Sequence, residues 1–238
     1  MKNSQVLFLI ICLIVIGGIE WRCTPEVNQP ITNNTTFDKQ APNQNSISLT
    51  TTTSVGFPDL TIDSARIANS LKIQWKQFRS TNCAVVEECA TSGKRRLMRF
   101  DVAIPNFGDA DLFVGRPTDN PTLFTFSPCH GHYHYNNFSE YRLKNAGGVV
   151  VTGRKQAFCL MDILQYTDGA PSQGYNCSFQ GISKGWADLY DQSLDCQWLD
   201  ITGLAKGNYR LEVVLKMDFF DQGLNVHPDS VSVPVTIR

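Results

Sequence analysis

The chain changes character as its apolar positions are followed from one end to the other. Val6 to Ile19 is an almost unbroken apolar run behind a weakly positive start, Met1-Lys2-Asn3-Ser4-Gln5. Those fourteen residues are short for a membrane-spanning helix, which needs about 20, but they suit the core of a secretory signal. Glu20-Trp21-Arg22 is not a small-residue cleavage site, and Cys23 follows at once. A cleaved signal, a lipidated Cys23 and an uncleaved anchor all stay open. Each places the remainder outside the cytosol. Glu26 to Val55 is rich in Asn, Thr, Ser and Gln and nearly free of aromatics, so it cannot bury a core and reads as a linker. The expected organisation is therefore a signal or anchor over 1–22, a disordered Thr/Asn/Ser-rich linker over 23–55, and one folded domain over 56–238.

From Gly56 the pattern shifts to short alternating runs. Leu71 to Trp75 alternates, Leu97 to Pro105 does so in part, and Tyr209 to Leu215 and Val231 to Ile237 do so again. Turn residues separate them at Asn106–Gly108, Asn145–Gly148 and Gly203–Gly207. Period-two alternation bounded by Gly and Asn predicts half-buried strands. No stretch carries a long helical period, and only Ser64 to Leu71 suggests a short helix. The expected fold is mainly β: an antiparallel, sandwich-like single domain with long loops and few short helices.

Charge adds an exclusion. The chain has 238 residues, of which 18% are charged, with a formal net charge of −1. No basic footprint for nucleic acid is present, and membrane contact is expected only through the N-terminal segment. Cysteine usage agrees with export. Beyond Cys12 and Cys23 there remain Cys83, Cys89, Cys129, Cys159, Cys177 and Cys196. An even set in an exported chain reads as a disulfide staple, although spacing alone does not choose the pairing.

The most informative segment is Cys129-His130-Gly131-His132-Tyr133-His134-Tyr135, which holds three of the four histidines. In a strand, alternate side chains share a face about 6.6 Å apart, so His130, His132 and His134 would form a row within reach of one ion. Imidazole suits copper, zinc, iron and nickel. Three protein ligands leave a position open for water or dioxygen, as catalytic metal sites do. The spacing does not name the metal. A non-enzymatic copper-binding sandwich and a three-histidine zinc hydrolase both fit these residues. The fourth histidine, His227, precedes Pro228 and reads as a surface loop residue.

Three blocks in order resemble the lysyl oxidase family. The histidine segment, with Phe138 and Tyr141-Arg142-Leu143, is similar to the family's copper-binding stretch. Gly153-Arg154-Lys155-Gln156-Ala157-Phe158-Cys159-Leu160-Met161-Asp162 is similar to the block holding its cofactor lysine. Asp188-Leu189-Tyr190 followed by Asp195-Cys196-Gln197-Trp198-Leu199-Asp200-Ile201-Thr202 is similar to the block holding its cofactor tyrosine. The resemblance implies copper(II) on His130, His132 and His134, and a lysine tyrosylquinone made from Lys155 and Tyr190. It implies disulfides Cys83–Cys129, Cys89–Cys196 and Cys159–Cys177. It further implies a secreted or cell-surface amine oxidase that converts primary amines, with protein lysine foremost, to aldehydes using dioxygen. It does not name the proton-abstracting base. Asp188 is the first candidate, with Asp195 and Asp162 beside it. Two positions depart from the family: Gln165 and Trp186 stand where better-known members carry a further cysteine pair. The tail after Lys216 matches poorly.

Overall fold

The computed structural model describes residues 56–153, 158–216 and 227–238. The signal and linker expected over 1–55, and Lys155 itself, lie outside the described residues. In chain order the elements are Ser64–Ser70 (α1), Lys72–Phe78 (β1), Cys83–Val86 (α2), Gly93–Arg99 (β2), Val102–Pro105 (β3), Leu112–Gly115 (β4), Phe124–Ser127 (β5), His132–Tyr135 (β6), Ser139–Asn145 (β7), Gly148–Thr152 (β8), Leu164–Gln165 (β9), Gln180–Ile182 (β10), Trp186–Tyr190 (β11), Trp198–Asp200 (β12), Gly207–Leu215 (β13) and Ser230–Ile237 (β14). The fold is mainly antiparallel β, as the alternating runs predict. The strands form sheets ordered β14-β13-β7-β8, β1-β2-β12, β3-β11-β9, β10-β4 and β5-β6.

Local chemistry explains the boundaries. Asp63 caps α1 by accepting the Arg66 backbone N–H at 2.9 Å, which ties down one donor at the helix start. The run expected over 97–105 is two strands in two different sheets, because Phe100 and Asp101 leave the ladder. The Phe100 carbonyl accepts from the Gln197 side chain at 2.9 Å, and the Asp101 N–H donates to the Ser70 hydroxyl at 2.8 Å. Side-chain partners that compete for backbone groups end regular pairing in this way. The resulting kink is what lets the chain pass from β2 to β3.

One hydrophobic core runs through the domain, with Leu97, Phe100, Ile104, Tyr141, Leu143, Tyr190, Trp198 and Leu211 among its members. Disulfides join Cys83 to Cys129, Cys89 to Cys196 and Cys159 to Cys177. Gln165 and Trp186 face one another as cross-strand partners between β9 and β11. The two positions where the resemblance expects a further cysteine pair therefore do meet in space. Among the described residues no helix is long and apolar enough to cross a membrane.

Candidate metal and tyrosine site

The histidine segment is not the straight row that its alternation suggests. Strand β6 begins at His132, and His130 lies in the turn between β5 and β6. Gly131 holds that turn with φ of +72°, a conformation that side-chain-bearing residues rarely adopt. The His130 N–H reaches back to the Ser127 carbonyl at 3.3 Å and to its hydroxyl at 3.2 Å. The turn curls His130 over the strand, so the imidazoles converge instead of standing in line. His130 Nδ1 lies 3.2 Å from His134 Nε2, which lies 3.2 Å from His132 Nε2.

This spacing fits a metal ion. Two nitrogens each about 2.05 Å from one ion are about 2.9 Å apart at 90° and about 3.3 Å apart at the tetrahedral angle. The separations here fall between those limits. His134 is buried, while His130 and His132 are partly open. The neutral, ligating form of His132 is favoured, because burial and the field of His130 both depress its basicity.

The histidines line one end of a cavity of about 460 Å³. Tyr190 and Asp188 line it too, from alternate positions of β11. Tyr190 is 2% exposed and stacks on Phe158 with ring centroids 4.6 Å apart; Phe158 in turn lies 6.0 Å from the His134 ring. The aromatic Phe158 therefore bridges the two ends of the cavity. The Tyr190 hydroxyl and Asp188 Oδ2 are buried, and neither finds a hydrogen-bond partner among the described residues. They are close enough to perturb each other, yet no bond of ordinary length and angle joins them. Burial, then the Asp188 carboxylate, pushes the Tyr190 phenol well above its usual range. Burial also pushes Asp188 well up, offset in part by the Tyr190 hydroxyl and by the Leu189 and Met161 N–H groups.

The three candidate carboxylates are thus unlike one another. Asp188 is buried within the cavity. Asp195 lies at its edge, 3.0 Å from Lys76 Nζ and open to water. Asp162 is a structural anchor: it accepts the N–H groups of Ser183 and Gly174, both at 2.8 Å, and the Ser183 hydroxyl at 2.6 Å. These donors occupy most of its acceptor sites, and Asp162 is not among the residues that line the cavity. His227 is remote from the cluster in bonding terms, with its Nδ1 2.7 Å from Asp59 Oδ2.

Phe158 and Glu87 escaped the sequence reading. Glu87 accepts the Ser127 hydroxyl and lies 4.0 Å from His130 Nδ1. A signal for it did exist. Cys83 and Cys89 flank Glu87, and their expected partners Cys129 and Cys196 flank the two halves of the site. Lys155 lies outside the described residues, although Phe158, three positions on, is the residue stacked against Tyr190.

The family model described as lysyl oxidase matches residues 58–225. Human lysyl oxidase homolog 3 is 37% identical over 175 residues, covering 68% of this chain and 23% of that protein. Human lysyl oxidase homolog 2 is 33% identical over 176 residues, with 68% and 22% covered. Human lysyl oxidase homolog 1 is 35% identical over 196 residues, with 72% and 33% covered. The chain thus spans between about a fifth and a third of the length of these curated relatives.

Proposed function

Because this chain belongs to the lysyl oxidase family, we propose that it is an extracytoplasmic, copper-dependent amine oxidase. The overall reaction takes a primary amine, dioxygen and water to an aldehyde, ammonia and hydrogen peroxide. The observation that carries this reading is the convergence of three imidazole nitrogens in the same cavity as a buried phenol that finds no hydrogen-bond partner of ordinary geometry among the described residues. An ordinary core tyrosine pairs its hydroxyl.

His130, His132 and His134 would hold copper(II), and Lys155 and Tyr190 would form lysine tyrosylquinone. When bound, these groups supply oxidation of the Tyr190 ring and a two-electron sink for the amine, which no ordinary side chain offers. The chain's own residues do the rest. Phe158 fixes the plane of the Tyr190 ring, so that one edge is presented to the cavity. Asp188 is the candidate base for the α-proton of the bound amine. Its raised pKa suits a group that must take up a proton near neutral pH, and its burial keeps bulk water from competing for that proton. Asp191 and Asp195 line the same cavity and favour entry of a cationic amine. Lys155 must approach Tyr190 as a neutral amine, and entry into a largely apolar cavity favours that form. Both peptidyl lysine and smaller primary amines have the required –CH₂–NH₂ group.

The test is chemical. Copper-loaded, aerated protein should develop visible absorption, react with phenylhydrazine, and yield a covalent Lys155–Tyr190 peptide by mass spectrometry. It should release hydrogen peroxide when given a primary amine. Copper uptake with no cross-link would favour a copper-binding sandwich. Ester or peptide hydrolysis with zinc bound would favour a hydrolase.

A further inference from the structure

We infer that Glu87 is a positioning residue for the histidine triad, fixing the His130 turn through Ser127 and placing a negative charge behind the ligand nitrogens. The inference rests on the reading above only for the identity of the ion.

Glu87 ends the short helix α2, where its N–H returns to the Cys83 carbonyl at 2.8 Å and the Glu88 N–H to that of Val85 at 3.1 Å. Two disulfides hold this segment on either side. Cys83–Cys129 ties it to the residue before His130, and Cys89–Cys196 ties it to the block that follows Tyr190. The Glu87 side chain is 6% exposed. One carboxylate oxygen accepts the Ser127 hydroxyl, and the same Ser127 oxygen accepts the His130 N–H at 3.2 Å. A relay thus runs from the carboxylate through Ser127 to the backbone of the first ligand. That same oxygen lies 4.0 Å from His130 Nδ1, the nitrogen that converges on the triad.

Burying a carboxylate is unfavourable unless positive charge or donors surround it. With the carboxylate 4.0 Å from His130 Nδ1, a cation held by the imidazoles would add to the groups already holding Glu87, and at so short a range in a poorly screened setting their attraction is strong. Groups outside the ligand set commonly decide how well the ligands are aimed, and removing one costs 10–100-fold in metal affinity. A fixed negative charge also favours a divalent ion over a monovalent one. Glu87 should therefore strengthen copper(II) binding more than copper(I) binding.

Three variants separate the two parts of this role. Glu87→Gln keeps an oxygen that can accept from Ser127 but removes the charge. Ser127→Ala breaks the relay and leaves the charge. Glu87→Ala removes both. Affinity for copper(II), and for copper(I) in the presence of ascorbate, would be measured by chelator competition on the oxidised chain. Disulfide mapping and melting of the metal-free protein serve as folding controls.

Glu87→Gln should weaken copper(II) binding by at least about tenfold and copper(I) binding by less, with an altered copper(II) spin-resonance spectrum. Ser127→Ala should weaken both ions by similar factors. A merely structural glutamate would not change the preference between the two oxidation states. Copper(II) affinity within twofold of the parent in Glu87→Gln, with the ratio between ions unchanged, would overturn the proposal. If Glu87→Gln does not fold, unchanged affinity in Ser127→Ala overturns the relay and the proposal with it. A parent that takes zinc(II) but not copper would sink the copper reading alone, and the Glu87→Gln comparison would then be made with zinc(II). A parent that binds neither ion sinks both.

Discussion

The two ends of the cavity are built in opposite ways. The histidine end comes from five consecutive residues, His130 to His134, bent by one glycine turn. Its imidazoles are neighbours along the chain, with distant support from Glu87, acting on the turn through Ser127. The tyrosine end is assembled from afar. Tyr190 and Asp188 sit on β11 between β3 and β9, Phe158 arrives from a different segment, and the burial that perturbs both groups comes from the whole core. The histidine end is polar and partly open, whereas the tyrosine end is closed, with two polar groups left unpaired among the described residues. The difference teaches that, under the proposed function, metal capture and cofactor formation would be separable. Each should be breakable without the other.

The sharpest break is Tyr190→Phe. Amine oxidation should fall to background while copper binding stays within twofold of the parent. Removing a buried hydroxyl that has no partner of ordinary geometry among the described residues should not lower stability, since such a group costs about 1–3 kcal/mol when left unsatisfied. Calorimetry of the metal-free chain checks this. A clear drop in melting temperature would mean the hydroxyl is satisfied and structural.

Next comes Asp188→Asn. A general base contributes typically about 10²–10⁴-fold, so turnover should fall by that range with copper still bound. Stability should move the other way. Burial raises the Asp188 pKa in the folded state, so the folded chain holds this proton after the unfolded chain has released it. The parent is then destabilised as pH rises, by about 1.4 kcal/mol for each pH unit between the unfolded and folded values. The asparagine variant escapes this penalty. It should melt above the parent at neutral pH, and the gap should close as pH falls to the ordinary carboxylate range near about 3.9. Equal melting curves at all pH values would contradict the raised pKa.

Phe158→Leu probes the bridge between the two ends. Loss of the stack on Tyr190 should cost about 1–3 kcal/mol in stability. Mispositioning of the ring should slow amine oxidation by up to about 10²-fold. Copper affinity should change little, and a large loss of copper would show that the two ends are not separable.

The smallest effect is expected for Asp195→Asn. Its ion pair with Lys76 is open to solvent, and such pairs contribute at most about 1 kcal/mol. Melting should barely move. KM for a cationic amine should rise a few-fold at low salt, and the difference should shrink as salt screens the cavity mouth. An uncharged carbonyl reagent should be unaffected.

What the sequence determined by itself was local. Alternation located β13 and β14 to within two residues and β1 to within three at its far end, because a half-buried strand writes its period directly into the order of its side chains. His130, His132 and His134 were legible as a candidate cluster because they are close along the chain and share one short hairpin. The cysteine pairing, and the proposed copper and quinone, came only through family resemblance, since spacing alone names neither an ion nor a partner. Tertiary structure decided everything that depends on a second segment. It broke the 97–105 run at Phe100 and Asp101, where side chains from Ser70 and Gln197 compete for the backbone. It curled His130 out of the expected row. It separated three similar aspartates into a buried cavity group, a solvated ion pair and a loop anchor. A carboxylate's role follows from its dielectric surroundings and its donors, and those are supplied by residues far away in the chain.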